Sequence, residues 1–97
     1  EKTAIDAQIA QALAFEHDFR FPEAERYYRA VIAAEPSNEF AHHVLGFMLR
    51  SIGRTDEAIA ELRVATRLDP LAKSAGTVLG ATLTEARLRR REHHVPR

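Results

Sequence analysis

The sequence predicts an all-α protein made of helical hairpins stacked in a line. Three observations carry that prediction. Ala, Leu, Glu and Arg, all helix-favouring, are abundant, and runs of β-branched residues are missing. Pro22, Pro36, Gly53 and Pro70 punctuate the chain into pieces of helical length. Residue types also recur at a fixed separation of 34 positions along most of the chain.

The elements follow in order. Thr3 stands where it can cap a first helix, with Asp6 three residues on in a capping-box-like arrangement, and that helix runs to about Asp18. Phe19-Arg20-Phe21 is the turn. Pro22 suits the first position of a second helix, where its missing N–H is no loss. Glu23 and Glu25 add favourable negative charge to that first turn. Ala24, Tyr28, Val31 and Ile32 form its inward face. It stops at Glu35-Pro36, because proline disfavours the helical conformation in the residue before it.

Ser37 or Asn38 caps a third helix that reaches about Ile52, with Ala41, Leu45, Leu49 and Ile52 inward. Gly53-Arg54 turns the chain, and Thr55 stands as the cap of a fourth helix, followed by Asp56 and Glu57. Ala58, Ile59, Leu62 and Ala65 face the third helix, and Asp69-Pro70 ends the fourth after Leu68. Ala75, Val78, Leu79, Leu83 and Ala86 keep helical spacing in a fifth helix. Its stripe fades into Arg87-Leu88-Arg89-Arg90-Arg91, so its end projects into solvent. One domain is expected over residues 1–92, with repeats at about 3–36 and 37–70, a terminal helix at about 71–92 and a flexible tail at 93–97.

The internal repeat is explicit. Pro36 and Pro70 are 34 residues apart, as are Ala24 and Ala58, Tyr28 and Leu62, Phe15 and Leu49, and Ala12 and Gly46. Leu45-Gly46 recurs as Leu79-Gly80. His42, Leu45, Gly46, Leu49, Ala58, Leu62 and Pro70 fall at the places of an aromatic-x-x-Leu-Gly-x-x-Tyr helix, an Ala-x-x-x-Phe helix and a closing proline. On these residues the chain resembles the tetratricopeptide repeat (TPR) family. Gln8, Gln11, Ala12, Phe15, Ala24, Tyr28 and Pro36 give a weaker first repeat, and Gly76, Leu79, Gly80 and Leu83 begin a third, so about two and a half repeats are covered. His42, Gln8 and Gly76 depart from the family's large aromatic, and Gln11 from its core leucine. By this resemblance Gly46, Gly80 and Ala12 allow close approach of neighbouring helices, and Leu62 and Tyr28 fill the space between hairpins.

The resemblance implies a concave groove lined by the first helix of each hairpin. Rotation of about 100° per residue puts Phe40, His43, Phe47 and Arg50 opposite the inward stripe of the third helix. Asp6, Ile9, Leu13 and Glu16 take the equivalent side of the first helix, with His17 beside them. Ser74, Thr77, Ala81 and Thr84 take that of the fifth. The expected groove residues are therefore Ile9, Leu13, Phe40, His43, Phe47, Arg50, Thr77 and Ala81. Phenylalanines away from the core point to a partner: a peptide or amphipathic helix laid in the groove. Burial by further chain or by a second copy is the competing reading, and Ile5, Ile9 and Leu13 read as an outward apolar side of the first helix that would favour it. Some TPR proteins grip an acidic C-terminal peptide with lysines and asparagines here; apolar residues at these positions argue against such a clamp.

Other chemistry finds little support. The chain has no cysteine, hence no disulfide and no thiolate ligand or nucleophile. His42-His43 and His93-His94 are adjacent pairs whose side chains point about 100° apart on a helix, which suits a shared metal poorly. No cofactor is implied, and neither a nucleophile set nor a phosphate-cradling glycine loop occurs, so the expectation is a non-enzyme. Residues 1–72 carry 12 acids and 8 bases, residues 73–97 carry 2 and 6, and the whole chain is neutral. The arginine cluster suits a helix C-terminus, and without interleaved aromatics it argues little for nucleic acid. No membrane span or signal peptide is recognisable, which leans toward the cytoplasm. The Glu1-Lys2 start suggests a processed chain or a piece of a longer one. The function expected is a non-catalytic protein-binding scaffold or adaptor. The alternatives are an accessory or oligomerisation segment of a larger protein, an enzyme included, self-associating through the groove or first helix, and a chaperone for a hydrophobic client.

Overall fold

A computed structural model of the chain describes residues 2–93, with side chains from Ala4 to Arg91. It contains five helices: α1 (Lys2–His17), α2 (Phe21–Ala34), α3 (Glu39–Ser51), α4 (Thr55–Leu68) and α5 (Lys73–His93). No strand occurs among the described residues. The closest packing joins α3 to α4 and α1 to α2, and then α4 to α5, with α2 against α3 between the two pairs. The molecule is elongated, 56 × 30 × 18 Å, as expected when helices stack in one direction.

The 34-residue period is present in the backbone. Phe21–Ala34 and Thr55–Leu68 are the same helix one period apart, each ended by an acidic residue, Glu35 or Asp69, whose N–H bonds back to Val31 or Ala65. The turns before them also match: Phe19 and Gly53 are both left-handed, with φ of 61° and 87°. Glycine adopts that conformation freely, whereas a phenylalanine there is strained.

Asn38 caps α3, its side chain accepting from the Ala41 N–H at 3.0 Å. Pro22 stands in the first turn of α2, one residue after its start at Phe21. The start of α4 differs from expectation: Arg54, not Thr55, precedes its first helical residue, and neither Arg54 nor Arg20 before α2 gives a side-chain cap. Arg54 instead uses its guanidinium across the hairpins. It makes two bonds to Glu25 on α2, at 2.6 and 3.0 Å, and two to Glu57 on α4, at 2.6 and 2.7 Å. Arg29 joins Glu25 at 2.8 Å. A guanidinium carries donors only, so it cannot accept a helix N–H as a cap and turns to carboxylates instead. Thr55 instead accepts from Arg89 of α5 at 2.9 Å. Helix α1 already includes Lys2, so Thr3 lies inside it, and the Thr3 side chain is outside the described residues. Residues 94–97, most of the expected tail, are also outside them, while His93 closes α5.

Tyr28, Val31, Leu45, Met48, Leu49, Leu62 and Thr82 are the largest fully buried side chains. The expected inward stripes of α2, α3 and α4 are all buried or half-buried. Met48 and Thr82, one period apart, join the core without having been expected. Thr82 is accommodated because its hydroxyl donates to the Val78 carbonyl at 2.6 Å, leaving no polar group unsatisfied. Ile5 corrects the reading of α1 as apolar on its outer side: it is buried against Val31 and Ala41, and Ile9 packs on the same cluster. The two helix glycines also part company. A Cβ at Gly46 would lie 2.7 Å from Leu62 Cγ and 3.3 Å from the Ala58 carbonyl oxygen, so α4 fits against α3 only because the position is bare. A Cβ at Gly80 meets nothing within 4 Å, so no described helix approaches it closely.

Candidate functional site

The side of α3 facing away from the core is built by helical phase. Ala41, His42, Leu45, Gly46, Met48 and Leu49 are buried. The residues between them must therefore point elsewhere. Phe40 and Phe47 lie on that other side, seven residues and about two turns apart, roughly 10 Å along the axis. They are 46 % and 45 % exposed. His43 and Arg50, on the same side, are half-buried.

On α1, Leu13 is 41 % exposed and Ile9 is half-buried. Ile9 packs on the Ile5–Val31–Ala41 cluster, so it is engaged with the core beside the start of α3 and is not free on the expected groove side. A shallow depression of about 520 Å³ is lined by Leu13, Glu16, His17 and Phe19. Its lining does not include Phe40 or Phe47, so it takes in only the α1 part of the expected groove. On α5, Thr77 and Ala81 are exposed, small and uncharged.

Arg50 is where the expected groove changes most. It lies on the expected side, but its Nε and Nη2 both donate to the Glu85 carboxylate of α5. The Arg50 hydrogen bonds hold Glu85 below the usual carboxylate range, and Glu85 in turn raises Arg50. Arg50 is thus a tie between α3 and α5. It brings the Thr77–Ala81 side of α5 against α3, since Ala81 and Glu85 are one helical turn apart.

Phe19 was read from sequence only as part of a turn. It is 78 % exposed, held in the left-handed conformation and set edge-on to Phe21, with 6.1 Å between ring centres. An exposed aromatic kept in a strained conformation where the next repeat has glycine is the legible signal that was passed over. It extends the apolar character of the α1 depression beyond Leu13.

His42 and His43 separate as expected for neighbours on a helix. His42 is buried, with Nδ1 2.8 Å from Glu61 Oε1 and Nε2 2.8 Å from the Pro36 carbonyl oxygen. It joins α3 to α4 and to the preceding turn, and both of its nitrogens are already used. Among the described residues, no three His, Asp or Glu side chains gather closely enough to hold a metal ion. Among the described residues, no helix is long and apolar enough to cross a membrane.

No family model matches the chain, and no curated protein matches it in sequence. The site is therefore read from its own geometry. These surfaces offer apolar contact area: two phenylalanines on α3, Leu13 of α1 with Phe19 in the turn after it, and a small, neutral surface on α5.

Proposed function

We propose that the chain is a non-catalytic, TPR-type interaction module that binds a peptide or an amphipathic helix along the outer side of α1, α3 and α5. The observation supporting this most directly is the pair Phe40 and Phe47, each nearly half exposed and two turns apart on one side of α3. That spacing matches apolar anchors at i and i+7 on a docked helix. Leu13 and Phe19 supply a second apolar contact, and Thr77 and Ala81 leave room for a close approach. His43 is the polar neighbour of the phenylalanines, able to hydrogen-bond to the backbone or side chains of the ligand. With Arg50 engaged by Glu85, the site is matched to an apolar ligand face and not to a carboxylate.

The test starts from peptides selected on the immobilised chain from a displayed random library. Selected sequences should carry large apolar residues at helical spacing, and in an NMR titration they should shift the signals of Leu13, Phe40 and Phe47. The double variant Phe40→Ala/Phe47→Ala should lose at least tenfold in affinity with unchanged helicity, because truncating two aromatic anchors costs more than about 1.4 kcal/mol. Unchanged affinity, or a footprint on another side, refutes the proposal.

A further inference from the structure

Equivalent left-handed residues turn the chain in the two hairpins, and only one of them is glycine. Gly53 takes its φ of 87° without strain, whereas Phe19 is held at 61°. Burial does not offset that strain, because the Phe19 ring is 78 % exposed and meets Phe21 edge-on. A strained residue that adds little to the core points to a role at the surface. Phe19 also lines the depression of about 520 Å³, together with Leu13, Glu16 and His17.

That depression has apolar walls and one carboxylate. Glu16 Oε1 accepts from the Tyr28 hydroxyl at 2.7 Å, which fixes the carboxylate in place. Burial, and then Glu16 itself, push that hydroxyl above the ordinary tyrosine range, so it stays a donor. Glu16 Oε2 has no partner among the described residues and is reached by solvent. Arg20, the cation nearest in sequence, is engaged elsewhere: it bonds Glu23 at 2.9 Å and lies over the Phe15 ring. Asp18, exposed in the same turn, adds a second negative charge.

We propose, resting on the peptide-binding reading above, that this depression receives an arginine side chain of the bound peptide. Its methylene stem packs on Leu13, and its guanidinium meets the Phe19 ring and the Glu16 carboxylate. Other side chains fit less well. An apolar one would suit Leu13 and Phe19 but would cover Glu16 Oε2 without giving it a donor, which is costly. A carboxylate would meet like charge at Glu16 and Asp18. Lysine could reach Glu16, but the planar guanidinium also stacks on an aromatic face and offers several donors at once. The ligand so defined has apolar anchors for Phe40 and Phe47 and an arginine toward the α1–α2 turn.

The experiment uses the intact chain, titrated with acetyl-arginine amide at low salt and followed by NMR. The signals of Leu13, Glu16 and Phe19 should shift. Acetyl-citrulline amide, uncharged and of nearly the same shape, should leave them in place. Glu16→Gln should abolish the arginine response with unchanged helicity, since glutamine still offers Tyr28 an acceptor. Phe19→Gly should weaken it too, and because glycine relieves the left-handed backbone, that loss is not one of folding. Phe40→Ala/Phe47→Ala should leave the response untouched, which separates this site from the α3 anchors. Peptides selected on the wild-type chain should be enriched in arginine. Replacing that arginine with citrulline should weaken binding about three- to tenfold, and should have no effect on the Glu16→Gln chain. Equal shifts from arginine and citrulline, or a response kept by Glu16→Gln, overturn the proposal. Selected peptides that bind at Phe40 and Phe47 without favouring arginine overturn it too, and leave the reading of the α3 anchors standing.

Discussion

Gly46→Ala and Gly80→Ala are the same substitution one repeat apart, and the structure gives them opposite signs. In both cases alanine replaces glycine inside a helix, which favours the helix by about 0.5–1 kcal/mol. At Gly80 nothing opposes that gain, because the new methyl meets no atom within 4 Å. At Gly46 the methyl would stand 2.7 Å from Cγ and 2.9 Å from Cδ2 of Leu62, and 3.3 Å from the Ala58 carbonyl oxygen. Leu62 is fully buried and the carbonyl belongs to α4, so neither can move aside without shifting the hairpin. Overpacking of this kind costs about 1–3 kcal/mol. The propensity gain is common to both variants, so the difference between them isolates the steric cost and should itself be about 1–3 kcal/mol. Urea unfolding followed by circular dichroism measures it, at concentrations low enough for single chains. In a thermal melt the two midpoints should differ by about 4–8 °C per kcal/mol for a domain of this size. Equal stability of the two variants would refute the packing of α3 on α4 through Gly46.

The capping assignments predict that Asn38→Ala costs about 1 kcal/mol, because it removes the bond to the Ala41 N–H, whereas Thr55→Ala costs clearly less; urea midpoints compare the two. At the α1–α2 turn, Phe19→Gly should be more stable than Phe19→Ala by about 1 kcal/mol, since only glycine relieves the left-handed backbone, and equal melting of the two would count against that strain. Glu25 is held below its ordinary value of 4.5 chiefly by its hydrogen bond from Arg54, with Arg29 adding to the effect. A depressed folded pKa means stability that is present above the unfolded value and lost as pH falls through the folded one. Glu25→Gln should therefore be less stable than wild type at neutral pH, and the gap should close as pH falls from 4.5 through the lower folded value; a gap constant with pH would remove Glu25 from the electrostatic link between the hairpins.

The helices, their order and the buried stripes of α2, α3 and α4 were legible because apolar spacing and proline stops act locally. Phe40 and Phe47 could be placed outside the core by the same argument: a helix whose inward stripe is known has only one opposite side. Helix starts were less legible. Thr55 has the chemistry of a cap, but Arg54 precedes the helix and reaches Glu25 on another hairpin, a contact 29 residues away in sequence. Arg50 shows the same limit, since its tie to Glu85 spans 35 residues.

Sequence alone determined the all-helical class, the 34-residue period and the side of α3 that cannot be core, because each follows from residue spacing along one segment. Tertiary structure decided what each repeated residue does. Gly46 and Gly80 carry the same Leu-Gly signature, yet one is filled by Leu62 and the other opens to space. Ile5, read as outward, is inward because Val31 and Ala41 meet it there. The physical reason is common to these cases: local spacing fixes the direction in which a side chain points, and only the packing of whole helices fixes what it meets.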